Sequence, residues 1–357
     1  MNEKKFMALA LELAEKGRGL VSPNPMVGAV IVKGGRVVGR GWHARYGEAH
    51  AEVNALRKAG KRVHGATAYV SLEPCGHWGR QPPCTQALLD AGISKVVYAC
   101  RDPSPWVNGR GHHELAKAGI KVKGGVLERE AQELNRAYFK RVKTGLSWVV
   151  LKVAMSADGK IAGQKGKWIT GKRARKEGQR LRVASDAVLT GIGTVLKDDP
   201  RLTVRGKREW QPLRLVVDSR LRMPLNARML REEGRTVVFT TKKAAKKKIK
   251  ALEGRKGVEV VVGKEKHGEV DLKWVMKELG DADFNQVLVE AGRELNTALL
   301  KAGLVDELAL FVAPKRIGAK GLDVFDATAL KGWKTRLTGL AVKRLGVDWL
   351  LAARLRP

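Results

Sequence analysis

The stretch His50-Ala51-Glu52, followed 22 residues after Glu52 by Pro74-Cys75 and then by Cys84, decides how the first half of this chain folds. One imidazole and two thiolates are good zinc ligands, and three protein ligands leave a fourth tetrahedral corner open. A structural zinc site is usually closed by a fourth residue. An open one serves chemistry, because the ion draws the pKa of a bound water down toward about 7. The fold must therefore bring residues 50, 75 and 84 together. His50 and Glu52 are expected to begin a helix and Cys84 to precede another, since positive helix N-termini favour thiolate over thiol. Positions i and i+2 diverge around a helix, so His50 is expected to face the metal and Glu52 the substrate side. Glu52 is the candidate proton shuttle, from water to a leaving amine. Taken singly, these residues would read as a helix cap and small core residues; together they read as a metal site.

Outward from this set, helix and strand signals alternate. Residues 3–17 have helical spacing and stop at Gly17 and Gly19, and Val27 to Val32 and Arg36 to Trp42 flank Gly34-Gly35 as a hairpin. A helix is expected over 50–59, a strand at Thr67 to Leu72, a helix at Thr85 to Ala91 and a strand at Lys95 to Cys100. This is the pattern of a three-layer α/β domain. The basic segment Arg136 to Gly145 then gives way to a new strand at Trp148, which sets a boundary near Gly145, with domains at 1–145 and 146–357. The second part reads as strands at 148–154, 187–189, 213–217, 236–240, 258–262, 286–289 and 308–312, with helices at 171–184, 271–279 and 293–302.

The formal net charge is +33, with 24 basic against 12 acidic residues up to Gly145 and 45 against 24 beyond it. Both parts are basic, so the field suits phosphorylated metabolites, phosphate-bearing cofactors or nucleic acid. The run Lys242 to Lys250 reads as a solvated helix face, because it lacks the interleaved aromatics of a single-strand binder. No run of 18 apolar residues predicts a membrane span. The N-terminus, broken by Glu12 and Glu15, reads as an amphipathic helix rather than a secretory signal. Three cysteines are too few for a disulfide framework and fit a reducing cytoplasm.

The signature H-x-E followed by P-C-x-x-C belongs to zinc deaminases of nucleobases. Here eight residues separate Cys75 from Cys84 rather than two. That insert, His77-Trp78-Gly79-Arg80-Gln81-Pro82-Pro83, together with Pro23-Asn24-Pro25-Met26-Val27-Gly28, Asp102-Pro103-Ser104-Pro105 and Asn108-Gly109-Arg110-Gly111, resembles the bifunctional deaminase–reductase of bacterial riboflavin biosynthesis. The resemblance spans essentially the whole chain. It implies a cytidine-deaminase-like three-layer α/β/α domain, with zinc on His50, Cys75 and Cys84 and Glu52 as catalytic residue. The implied reaction is hydrolytic deamination of a phosphoribosylated diaminopyrimidine, a small phosphorylated substrate. Asn24, His43, His77 and Arg80 are the candidates for holding its ring and phosphate.

In the second part, Gly191-Ile192-Gly193 follows a strand, but Leu196 breaks the dinucleotide fingerprint, so a Rossmann fold is not supported. Glu290-Ala291-Gly292-Arg293, at a strand-to-helix turn, is the better phosphate site. Lys152 to Lys160, Trp168-Ile169-Thr170-Gly171, Gly193 to Pro200 and Val217-Asp218-Ser219 resemble the reductase domain of the same family. The resemblance implies a dihydrofolate-reductase-like α/β fold with NADPH as hydride donor. Ala154, Trp168, Thr194, Asp198, Ser219 and the turn Gly292, Arg293, Glu294, Leu295, Asn296, Thr297, Ala298 would touch the cofactor. Gly166, Arg182, Leu202, Arg205 and Glu290 would line the substrate, whose ribosyl group is reduced to ribityl. Family resemblance also implies a homo-oligomer. Rival readings are a deaminase of tRNA, a non-enzymatic zinc scaffold, and a deaminase with an inactive reductase half. The tRNA reading predicts the short cysteine gap, which is absent here.

Overall fold

Helix α1 (Glu3–Glu15) buries Met7, Ala10, Leu13 and Ala14, the spacing of one helical face, against a five-stranded sheet. The computed structural model describes residues 3–163, 168–206, 210–327 and 337–355, and divides into two units, Met1–Gly145 and Leu146–Pro357. Among the described residues no helix is long and apolar enough to cross a membrane.

In the first unit α1 leads into β1 (Gly28–Lys33), β2 (Arg36–Trp42), α2 (Ala51–Ala59) and β3 (Thr67–Val70). Then come α3 (Cys84–Asp90), β4 (Lys95–Tyr98), α4 (Arg110–Lys117), β5 (Lys121–Lys123), α5 (Glu128–Leu134) and α6 (Arg136–Thr144). The sheet runs β2-β1-β3-β4-β5; β1 is antiparallel to β2 and β3, and β3, β4 and β5 are parallel. One face packs against α1, α5 and α6, the other against α2, α3 and α4, which makes three layers. The basic segment before the boundary near Gly145 forms helix α6, whose Tyr138 and Phe139 are buried beneath its charged face. Lysine and arginine stems on the outer face hide this amphipathic pattern from a charge-based reading.

Helix α2 lies unusually close to β2. A Cβ on Gly41 would stand 2.3 Å from the Ala55 nitrogen and 2.4 Å from the Ala51 oxygen, and one on Gly39 2.3 Å from the Ala55 oxygen. Ala51, Ala55 and Ala59 complete the match from the helix side. Small residues on both elements thus set the height of the helix that carries Glu52.

The second unit contains β6 (Trp148–Ser156), β7 (Lys160–Ala162), α7 (Lys172–Val183), β8 (Ala187–Gly191), α8 (Ile192–Asp198), β9 (Leu213–Val217), β10 (Thr236–Thr240) and α9 (Lys246–Glu253). These are followed by β11 (Val258–Val262), β12 (Glu265–Lys266), β13 (Glu269–Val270), α10 (Leu272–Asp281), β14 (Gln286–Val289) and α11 (Arg293–Lys301). The chain closes with β15 (Glu307–Ala313), β16 (Leu322–Asp323), β17 (Leu337–Leu345) and β18 (Asp348–Leu355). Among the described residues nine strands form one sheet in the order β11-β10-β9-β8-β14-β6-β15-β18-β17. It is parallel except for the last two pairings, β15 with β18 and β18 with β17. The parallel strands are continuous apolar runs because helices cover both faces: α10 and α11 on one, α7, α8 and α9 on the other. The chain leaves adjacent strands β8 and β14 toward opposite faces, through α8 and α11. That divergence opens a crevice at the carboxyl ends of the strands.

Candidate active sites

His50 is the N-cap of α2, with extended backbone (φ −70°, ψ 167°). Asn54 of the same helix donates from Nδ2 to the carbonyls of Trp42 (2.9 Å) and Ala49 (3.1 Å), fixing the turn that precedes His50. Cys84 is the first residue of α3 rather than the one before it, and Thr85 donates its N–H to the Cys75 carbonyl at 3.2 Å. The second cysteine therefore anchors the turn bearing the first. His50 Nδ1 stands 3.2 Å from Cys84 Sγ and 3.6 Å from Cys75 Sγ, and the three ligand atoms lie within 4.8 Å of one another. Tetrahedral zinc with ordinary bond lengths separates such donors by about 3.5 Å. The set fits zinc, and the same imidazole nitrogen faces both sulfurs.

Glu52 is buried, and its carboxyl reaches hydrogen-bonding range of the Cys84 thiol. His50 and Glu52 both come within reach of Cys84 Sγ. The extended backbone of His50 takes it out of the helix, so helical spacing does not apply between them. Burial pushes the Glu52 carboxyl up to about 7, reinforced by the Cys75 thiolate. The Cys75 thiol is drawn well down, first by the Cys84 S–H that donates to it and then by His50; Cys84, which keeps the proton, is raised. An acid–base group poised near neutrality thus sits beside a preformed thiolate.

The other four candidates divide. Asn24 Nδ2 is 3.2 Å from His43 Nε2, and the His43 ring crosses that of His50 edge-on at 5.2 Å between centroids. His43 is only 2% exposed, which places it behind Asn24 rather than on the open surface. His77 buries Nδ1 without a hydrogen-bond partner. Arg80 is exposed, its guanidinium 4.7 Å over the Tyr46 ring. Tyr46 carries no sequence signal of its own; it becomes relevant only once the insert folds back over residues 45–48, where Gln81 Nε2 donates to the Gly47 carbonyl at 2.9 Å.

The second unit holds a cavity of about 1860 Å³ at the crevice between α8 and α11. Ala154, Trp168, Thr194, Asp198, Ser219, Gly292, Arg293, Glu294, Leu295 and Ala298 line it, as do Arg182, Leu202, Arg205 and Glu290. Asn296 and Thr297 do not: the helix turns both inward. Thr297 Oγ1 accepts the Asp326 N–H at 3.0 Å, and Asn296 is fully buried with its amide atoms unpaired. Gly166 lies outside the described residues. The wall is rich in cations, among them Lys197, Arg201, Arg220, Arg222 and Arg228, and α11 points its N-terminus into it. Size, charge and this free helix end fit a long, polyanionic dinucleotide.

Glu290 stands in that wall among cations. Arg182 donates to it from Nε (2.6 Å) and Nη2 (3.1 Å), and Lys152 from Nζ (3.3 Å). Burial would raise this carboxyl, but the charges of Arg182 and Lys152 overcome it and hold Glu290 well below the usual carboxylate range. Lys152 was not singled out by the sequence reading. Its signal was present: a lone cation inside the apolar strand Trp148-Val149-Val150-Leu151-Lys152-Val153-Ala154 demands a buried partner.

Residues 1–100 match the cytidine and deoxycytidylate deaminase zinc-binding region, and residues 147–351 match the RibD C-terminal domain. The riboflavin biosynthesis protein RibD of Escherichia coli is 44% identical over 339 residues, covering 90% of this chain and 91% of that protein. RibD of Aquifex aeolicus is 45% identical over 327 residues, covering 91% and 90%. Among solved structures, Acinetobacter baumannii RibD aligns with a TM-score of 0.90 at 38% identity, covering 100% of this chain and 99% of that one. A Thermotoga maritima diaminohydroxyphosphoribosylaminopyrimidine deaminase/5-amino-6-(5-phosphoribosylamino)uracil reductase aligns with a TM-score of 0.87 at 36% identity, covering 99% of each chain.

Proposed function

This chain belongs to the RibD family of bifunctional deaminase–reductases of riboflavin biosynthesis, and from that membership we propose how its own residues divide the two reactions. The observation that carries the reading is the meeting of His50, Cys75, Cys84 and the buried Glu52 in one unit, while the other holds a large cationic cavity. The first unit, 1–145, deaminates the diaminopyrimidine nucleotide named for the Thermotoga relative, and the second, 146–357, reduces the ribosyl group of the product.

His50, Cys75 and Cys84 would hold zinc, which when bound would supply a water made nucleophilic near neutral pH. Glu52 takes the proton that the water gives up on attacking the pyrimidine carbon, and passes it to the departing amine, which leaves as ammonia. A carboxyl near 7 can do both, since it neither holds the proton too tightly nor refuses it. Asn24 contacts the ring, His77 lies beside it, and Arg80, laid flat by Tyr46, presents its outer edge to the phosphate.

Gly292, Arg293, Glu294, Leu295 and Ala298, with Ala154, Trp168, Thr194, Asp198 and Ser219, would hold NADPH, which when bound would supply the hydride. The sugar must open for reduction: a proton goes to the ring oxygen, the carbon–oxygen bond breaks, and the iminium left at the anomeric carbon accepts the hydride. Lys152, held against Glu290 in the cavity wall, is the cation placed to deliver that proton. Arg182, Leu202, Arg205 and Glu290 shape the substrate end, and Gly166 belongs with them by resemblance. The small anionic substrate, rather than nucleic acid, is what the basic cavity serves, and three free thiols, two of them metal donors, suit the cytoplasm. Incubating the protein with the diaminopyrimidine nucleotide, with and without NADPH, tests this reading. Mass spectrometry should find the uracil nucleotide without NADPH and the ribityl compound with it; unaltered substrate in both reactions rejects it.

A further inference from the structure

The ligands and the proton shuttle leave open what holds the loop that carries Asn24. This loop joins α1 to β1 and ends at Met26, two residues before the strand begins. Both main-chain polar groups of Met26 are taken by one side chain 109 residues away. Its N–H donates to Asn135 Oδ1 at 2.8 Å, and its carbonyl accepts from Asn135 Nδ2 at 2.9 Å. A primary amide carries one donor and one acceptor group side by side, so Asn135 pairs with Met26 as a neighbouring β-strand would.

We propose that Asn135, at the junction of α5 and α6, is a positioning residue of the deaminase site, acting through the loop that presents Asn24; this rests on the deaminase reading above. The alternative role for an asparagine between two helices is to cap the second. Asn135 is the N-cap of α6, yet its side chain makes no capping bond. It is 3% exposed, with both amide groups spent on Met26.

The path from Asn135 to the metal ligands is short. Asn24 Nδ2 meets His43 Nε2, and His43 Nδ1 meets the Ala49 carbonyl at 3.3 Å, next to His50. A carbonyl only accepts, so Nδ1 carries the imidazole proton and Nε2 is the acceptor for Asn24. The Asn24 amide is thereby oriented, with its oxygen left for a donor on the pyrimidine. Its position along the chain is set by Met26, hence by Asn135.

The same helix fastens a second loop around the site. Tyr138 donates its hydroxyl to Asp102 Oδ1 at 2.9 Å, and Asp102 also accepts the Ser104 N–H at 2.9 Å. That loop runs on to Gly109 and His112, whose N–H groups are held by the Glu73 carboxylate at 3.0 and 3.1 Å, immediately before Pro74-Cys75. The α5–α6 junction is thus an anchorage for the substrate side of the deaminase.

The test is steady-state ammonia release by the full-length zinc-loaded protein carrying Asn135→Ala, Asn24→Ala, or both. Bound zinc and NADPH-dependent reduction are measured on the same samples, and Gln132→Ala on the exposed side of α5 serves as control. Misplacing a binding group costs about 10-fold or more, and here the loss should lie mainly in KM, with zinc and reduction unchanged. The double variant should be no worse than Asn24→Ala alone, and Gln132→Ala should match wild type. Should Asn135→Ala lose zinc or reductase turnover, Asn135→Asp, which keeps the volume and the acceptor for the Met26 N–H, carries the same test. The proposal is overturned if Asn135 variants keep the wild-type KM, if their defect adds fully to that of Asn24→Ala, or if Asn24→Ala is itself without effect. A wild-type protein that releases no ammonia would instead overturn the deaminase reading itself.

Discussion

Arg182 grips Glu290 through two nitrogens, at 2.6 and 3.1 Å, across 108 residues of sequence, and Lys152 closes the third side. Glu290 therefore has a folded pKa held below its ordinary 4.5. A depressed folded pKa contributes stability that is complete above the unfolded value and is lost as pH falls through the folded one. Wild-type thermal stability of the reductase unit should fall more steeply than that of Glu290→Gln between about pH 5 and pH 3. At neutral pH Glu290→Gln should be the less stable, by about 1–3 kcal/mol, because it leaves two half-buried cations without their charge partner. Parallel melting curves for the two proteins at neutral pH would sink this account.

Glu52→Gln keeps the shape of the side chain and removes its basicity. Metal analysis should find zinc still bound, while ammonia release falls by about 10²–10⁴-fold. NADPH-dependent reduction of the uracil nucleotide should be unaffected. A variant that deaminates at the wild-type rate would mean that the proton travels by another route.

Lys152→Met preserves the length of the side chain and discards its proton. Reduction should slow by about 10²-fold or more with deamination intact, and adding the charge back as Lys152→Arg should not restore it, since guanidinium holds its proton at every accessible pH. Full activity in Lys152→Met would assign the proton to water.

Gly41→Ala adds one methyl group where the Ala55 nitrogen and Ala51 oxygen stand 2.3 and 2.4 Å away. Backbone must move, at a cost of about 1–3 kcal/mol or more, and the helix that moves carries Glu52 next to His50. Chelator competition should show faster zinc loss from Gly41→Ala than from wild type. The matching substitution at Gly34, where a Cβ meets nothing within 4 Å, tests φ strain without the clash and should leave zinc release unchanged.

Much of this was legible in the residues. Apolar runs such as Val149 to Leu151 and Val287 to Val289 announced buried parallel strands, and the α9 lysines read correctly as a solvated helix face. What escaped was encoded weakly. The hairpin β17–β18 follows neither strict alternation nor a continuous apolar run, because its outer strand exposes Leu340 and Val342. Helices α4, α5 and α6 are short and heavily charged, so their periodicity is carried by only one or two buried residues each.

By itself the sequence singled out His50, Cys75 and Cys84 as a metal-ligand set and Glu52 as the carboxylate to set beside them, because metal chemistry accepts few residue types and their spacing along the chain is distinctive. Only the tertiary structure decided that His50 stands outside its helix to meet Cys84 and Cys75, that Lys152 and Arg182 share Glu290, and that Asn135 holds Met26. Those pairings join residues a hundred or more positions apart, or depend on a single backbone angle. Hydrogen bonds of that kind have no period and no motif; they exist only once the hydrophobic layers have set the distances.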